Sequence, residues 1–179
     1  MHHLDQVRYM ETSDFQAVEL PYTSNELSMV ILLPRQIAGC AQLGRRLSPN
    51  FLSQSLAQME FQQVEIFLPR FKLESAFDLN APLAKMGLTD AFSPRADFSG
   101  IDDTRLLSIS GVFHKAGGEV NEQGTEAAAA TGLVAYSVGI HKPEPPPPIF
   151  RADHPFIFFI RDIRSGSLLF LGRLEQPAH

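Results

Sequence analysis

The sequence predicts an α+β fold of antiparallel sheets with short helices, and three observations carry that expectation. Strand-like segments come in runs, whereas regular βαβ units would alternate them one for one with helices. The candidate helices are short and carry their own start and stop signals. One long connection, residues 122–148, interrupts the pattern between strong strand segments.

Residues 15–22 (Phe-Gln-Ala-Val-Glu-Leu-Pro-Tyr) alternate apolar and polar, the signature of a half-buried strand. Thr23 to Glu26 reads as a turn, and Leu27 to Leu33 is an apolar strand stopped by Pro34, which completes a hairpin. Residues 35–59 look helical in pieces. Ser48 before Pro49 is a helix start, a side-chain cap followed by a residue with no N–H left to satisfy. Leu52, Leu56 and Met59 then share one face. Phe61 to Leu73 returns to strand, with Val64, Ile66 and Leu68 on one side. Asp78 opens a short helix striped by Leu79, Leu83 and Met86, and Gly87 with Leu88 behind it fits a left-handed stop. Leu106 to Asn121 reads as one long strand. Ile149–Phe150, Phe156–Arg161 and Leu168–Leu174 are further strands, the last two joined by Asp162 to Gly166.

With 179 residues, 44% hydrophobic and 20% charged, the chain is long and apolar enough for one domain with a real core. A net charge of −5 with no basic block argues against a surface that tracks nucleic-acid phosphates. The 14 Phe, 3 Tyr and absence of Trp point to packing, since Phe fills a core without needing a hydrogen-bond partner. The one cysteine, Cys40, cannot form an internal disulfide and reads as a buried, inert thiol. No apolar run approaches the ~20 residues of a membrane span, and Met1 to Asp5 lacks a basic region followed by an apolar one.

Catalytic patterns are missing too. The histidines at 2, 3, 114, 141, 154 and 179 form no His-Glu-x-x-His pair, and neither a Gly-x-Ser-x-Gly elbow nor a Gly-rich phosphate loop occurs. His154, before Pro155, reads as structural, and Asp102-Asp103 as solvated loop charges. No enzyme, metal site or cofactor is expected.

Residues 122–148 do not fit a compact domain. A connection that long is usually functional or disordered, and Pro145 to Pro148 will be extended and semi-rigid. On composition alone, Ala127 to Ala130 fits a helical turn or a simple linker. The run Glu122-Gln123-Gly124-Thr125-Glu126-Ala127-Ala128-Ala129-Ala130-Thr131, however, resembles the hinge and loop start of the serpins. Phe150-Arg151-Ala152-Asp153-His154-Pro155-Phe156-Ile157-Phe158-Phe159-Ile160 is similar to their C-terminal signature, and Phe113-His114-Lys115-Ala116 to the strand leading into the loop. Ala96 to Gly100, and Leu20-Pro21-Tyr22 with Leu27-Ser28-Met29, match the family as well. Each match alone is weak; five in family order, at near-family spacing over essentially the whole chain, are strong. The proline-rich segment and Phe150 to Asp162 look prokaryotic in wording.

The resemblance implies a single partial serpin domain over 1–179: the C-terminal portion of the serpin fold, with antiparallel sheets, short helices and a long exposed reactive loop at about 122–148. It implies a serine-protease inhibitor acting as a suicide substrate, whose cleaved loop inserts as a strand into a β-sheet; loop insertion in serpins is a standing example of strand addition. The hinge is Gly124, Thr125, Glu126, Ala127, Ala128, Ala129, Ala130 and Thr131. Alternate side chains of a strand face opposite ways, so placing Thr125 inward turns Ala127, Ala129, Thr131, Leu133 and Ala135 inward and Glu126 outward. Every inward member is small or apolar. Family spacing places the reactive bond between Val138 and Gly139, which suits an elastase-like target; Tyr136–Ser137 is the alternative and suits a chymotrypsin-like one. No Arg or Lys lies between Gly124 and His141, so a trypsin-like target fits poorly.

The expected partner is therefore a serine protease, with no nucleic acid and no membrane. The N-terminal half of the family fold is expected to be missing, including the strand on which shutter-like His114 would find a polar partner. The chain alone is accordingly expected not to work as an inhibitor and to be poorly soluble. Gly117-Gly118 departs from the apolar residues the family tends to place there, and each weakens a strand by about 0.5–1 kcal/mol relative to alanine. The resemblance also implies an extracellular or periplasmic full-length protein, the cytoplasm being the alternative. A non-inhibitory serpin-like binding protein, or a decayed remnant, is the alternative function.

Overall fold

The computed structural model describes residues 1–104, 106–120 and 145–177. The chain forms two compact units, residues 1–71 with 120–179, and residues 72–119.

The first unit is built on a seven-stranded sheet. Its strands are β1 (His2–Glu11), β2 (Phe15–Pro21), β3 (Leu27–Pro34), β4 (Glu60–Phe67), β7 (Ile149–Arg151), β8 (Phe156–Asp162) and β9 (Leu168–Leu174), in the order β7-β4-β1-β2-β3-β8-β9. Every pairing is antiparallel except that of β7 with β4, which is parallel. The expected hairpin is β2–β3, closed by Tyr22–Asn25, with Asn25 in the left-handed region at φ 54°.

Two helices cover one face, α1 (Cys40–Arg46) and α2 (Pro49–Gln58). The predicted cap is present: the Phe51 N–H donates to Ser48 Oγ at 3.2 Å, with Pro49 at the first helical position. Leu52 and Met59 sit in the core with Met10, Phe15, Ala17, Val30, Leu32, Ile157 and Phe159, and Leu56 packs against it. On the other face the Phe71 ring stands edge-on to Phe156 and tilted against Phe158, with centroids 5.7 and 5.5 Å away. Cys40 is buried, and burial pushes its thiol pKa up, as an inert thiol requires.

Buried on both faces, β2 is not the half-buried strand its alternation suggests. Residues Phe15 to Leu20 are all buried, including Gln16 and Glu19. Buried polar groups need partners. The Glu19 carboxylate accepts from Arg8 Nη1 at 2.7 Å and from Ser28 Oγ at 2.6 Å, and Arg161 Nε lies 3.1 Å away. Arg8 also donates to the Leu56 carbonyl in the last turn of α2, where a cation complements the helix end.

Two other expectations are corrected, and β1, a ten-residue strand, lies in a stretch for which no element was expected. The strand expected over 61–73 is two, β4 and β5 (Phe71–Asp78), broken at Leu68-Pro69-Arg70, where Pro69 has no N–H for a ladder. The long strand expected from Leu106 starts only at Phe113, as β6 (Phe113–Val120), because β5 is its one partner strand among the described residues and 106–112 form no ladder.

The second unit holds most of β5 and β6, α3 (Asn80–Lys85), a 3-10 turn at Asp90–Phe92 and α4 (Ser99–Asp102). Asp78, expected to open α3, is instead the last residue of β5; its carboxylate accepts from the Asn80 N–H at 2.9 Å, and Leu79, with no side-chain bond, holds the cap position. The expected stop is a full Schellman motif: Leu88 N–H donates to Leu83 O at 3.0 Å and Gly87 N–H to Ala84 O at 3.1 Å, with Gly87 at φ 103°. The apolar stripe is less buried than its spacing suggests, for Leu79 and Leu83 are half-buried and Met86 is exposed. Asp103, at φ 57°, is exposed just past α4, whereas Asp102, expected in a loop, is the half-buried last residue of that helix and accepts from the Thr104 N–H.

Candidate functional site

The 122–148 segment is rooted in β6 upstream and β7 downstream, and its two roots differ. Hinge residues Gly124 to Thr131 and the bonds Val138–Gly139 and Tyr136–Ser137 lie outside the described residues. The roots do not.

At the downstream root, Pro145 to Pro148 lead into β7. Pro148 O accepts from the Glu65 N–H at 2.9 Å, and Ala152 N–H donates to Phe67 O at 2.8 Å, so the chain is fixed on either side of β7. Phe150 and Ala152 are buried at 0% and 1% exposure, which anchors the strand through side chains of the signature segment. The Arg151 guanidinium lies 3.7 Å from the centre of the Phe67 ring, a cation–π contact. His154 is structural, as expected: Nε2 lies 2.6 Å from Pro34 O and Nδ1 2.8 Å from the Asp153 carboxylate, so both ring nitrogens face acceptors.

A chain of polar side chains closes on the same root. Arg35 Nη2 donates to Glu11 Oε2 at 2.6 Å, and Tyr9 Oη donates to that oxygen at 2.8 Å. Gln16 Nε2 donates to Tyr9 Oη at 2.6 Å and to Ile149 O at 3.0 Å. Burial pushes the Tyr9 pKa up to about 12. The hydrogen bond from Tyr9, ahead of the pull from Arg35, lowers that of Glu11. These side chains, with Gln62, Pro146, Pro148 and Ile149, line a cleft of about 370 Å³. Alternation alone would put Gln16 toward solvent; no sequence signal marks it.

The upstream root, β6, is bare. His114, Lys115, Gly117, Gly118 and Glu119 are exposed, and none of its residues is buried. His114 therefore bears no burial cost here. A Cβ on Gly118 would meet nothing within 4 Å, so space does not require glycine there. Among the described residues no cluster of three metal-ligating side chains occurs, and no helix is long and apolar enough to cross a membrane.

The profile of the family described as "Serpin (serine protease inhibitor)" matches residues 1–177. The chain belongs to the serpin family. It is 45% identical over 175 residues to the leukocyte elastase inhibitor of Sus scrofa, an alignment covering 94% of this chain and 45% of that protein. Serpin B10 of Papio anubis is likewise 45% identical, over 96% of this chain and 43% of that protein. The crystal structure of uncleaved ovalbumin superimposes with a TM-score of 0.83 at 33% identity, covering 99% of this serpin chain and 44% of ovalbumin. The fold is thus part of the serpin fold, and the chain spans less than half the length of these relatives. The family is one of inhibitors, not enzymes. The expected prokaryotic cast is corrected, since the similar relatives are animal proteins. Phe150 and Phe156 answer to the core they fill, and so say little about lineage.

Proposed function

We propose that this chain is the bait-bearing part of a serpin that traps serine proteases, with an elastase-like target favoured and a chymotrypsin-like one as alternative. The observation that carries the reading is the parity of the hinge, small or apolar at every second position from Thr125 to Ala135, in a chain 45% identical to a leukocyte elastase inhibitor. The protease serine Oγ attacks the carbonyl of the bait residue, the peptide C–N bond breaks, the amine leaves with a proton, and an ester joins bait to protease. Strand entry must then outrun hydrolysis of that ester. A charge on an inward hinge position would slow entry, because it would have to be buried in the sheet.

Among the described residues β6 pairs only with β5, so a strand entering beside β6 would gain one neighbour and leave an open edge. The 179-residue chain by itself is therefore expected to be cut without trapping. The test is to mix full-length protein with elastase or chymotrypsin and look for an SDS-resistant band at the summed mass. Thr125→Arg should abolish that band while leaving cleavage intact. Cleavage between 131 and 141 with no band in the unaltered full-length protein would favour a non-inhibitory serpin, a reading to which the glycines of β6 lend some weight.

A further inference from the structure

We infer that Gln16 is a positioning residue for the bait, clamping its downstream root to the sheet through the carbonyl of Ile149. The inference rests on the reading of 122–148 as bait. β2 and β7 are separated by β1 and β4 in the sheet order. At about 4.8 Å per strand, a flat sheet would hold them roughly 14 Å apart, beyond the reach of a glutamine. The 3.0 Å contact between Gln16 Nε2 and Ile149 O therefore requires the sheet to curl, bringing residues 133 positions apart together.

The root needs this clamp. β7 has three residues, lies at the sheet edge, and Ile149 is 50% exposed, so burial holds its first residue weakly. Pro145 to Pro148 have no N–H to add ladder bonds upstream. Gln16 supplies a donor from outside the ladder, and its orientation is fixed. Its amide nitrogen has two hydrogens, spent on Tyr9 Oη and Ile149 O. Turning the amide over would set oxygen against the Ile149 carbonyl and lose both bonds. Tyr9 is held in turn by Glu11, and Glu11 by Arg35, so each bond polarises the next. Gln16 and Tyr9 are 7% and 1% exposed, so although the cleft is open, water has little access to replace either side chain. A root held in this way fixes where the bait begins its return to the sheet, and keeps the downstream piece in place when the bond is cut.

Amide hydrogen exchange of the chain tests the clamp at the Glu65 and Ala152 amides, which bond on either side of β7. Gln16→Glu, which keeps the size but replaces the donor, and Gln16→Leu should each speed exchange there by up to about tenfold, the loss of one net hydrogen bond. The amide of Ile31, at the centre of the buried sheet, should keep its rate. Tyr9→Phe should act in the same direction but more weakly, and stands in if Gln16→Leu does not fold. Wild-type protection at Glu65 and Ala152 in Gln16→Glu overturns the clamp, as does equal acceleration at Ile31. In full-length protein, elastase should cut within 122–144 faster in both Gln16 variants than in wild type; equal rates overturn the positioning role. Absence of any cut there, in wild type and variants alike, removes the bait reading and leaves the exchange rates to decide the clamp.

Discussion

The sheet of β1–β4 and β7–β9 and the unit of residues 72–119 show how differently two parts of one chain satisfy their apolar side chains. In the sheet, Phe150, Phe156, Ile31, Leu32, Val18 and Val64 are fully buried. In the smaller unit Ala96 is the one buried hydrophobic among the described residues, while Phe77, Met86, Ile101, Leu106 and Phe113 are 55–87% exposed. Local structure is nevertheless well made there, as the Schellman stop of α3 and the Asp78 contact show. Capping and turn chemistry shape a segment; only packing supplies the apolar burial that dominates stability. Well-formed turns and stops in 72–119 thus coexist with little apolar burial.

Truncation should expose that contrast most strongly. Phe156→Ala or Phe150→Ala should cost about 3–5 kcal/mol in urea unfolding, whereas Phe113→Ala should stay within about 0.5 kcal/mol. Equal losses would erase the distinction between the two regions. Glu19→Gln is expected to cost about 3 kcal/mol, because Arg8 and Arg161 would then share a largely buried site with no carboxylate. An unchanged urea midpoint would show that water already neutralises the pair.

Glycines sharpen the comparison further. A Cβ at Gly172 on β9 would lie 2.6 Å from the Phe158 ring, and one at Gly118 on β6 would touch nothing. Gly172→Ala should therefore destabilise by about 1–3 kcal/mol. Gly118→Ala should be neutral or stabilise by up to about 1 kcal/mol, since glycine weakens a strand interior. Opposite signs in thermal melts are the outcome to look for. The smallest effect is confined to alkali. Tyr9 titrates higher in the folded chain, near 12, than the ordinary 10, so its contribution is intact below pH 10 and is lost as pH rises toward 12. Tyr9→Phe should flatten the fall in stability over that window.

Much of this architecture was legible because its signals are local. Ser48-Pro49 marks the start of α2, Gly87-Leu88 the end of α3, and the apolar runs at 156–161 and 168–174 mark β8 and β9. What escaped depends on distant partners. β1 mixes His, Asp, Gln and Arg with Val7 and Tyr9, and becomes a strand because β2 and β4 flank it. Residues 106–112 have strand-like composition but form no ladder. Gln16 and Glu19 took the polar positions of an alternating pattern, yet β2 is buried on both faces and both residues have partners up to 142 positions away. For the site, hinge parity is a property of sequence alone, whereas the grip on Ile149 exists only once the sheet has curled.

β9 has a consequence for handling the chain. Leu168, Leu169, Phe170 and Leu171 are 47–58% exposed on the last strand of the sheet order. A net charge of −5 repels other copies, and the range of that repulsion shrinks to about 8 Å at physiological ionic strength. Added salt removes that repulsion while leaving the greasy rim as sticky as before. Solutions should cloud as sodium chloride is raised and clear on dilution into low-salt buffer.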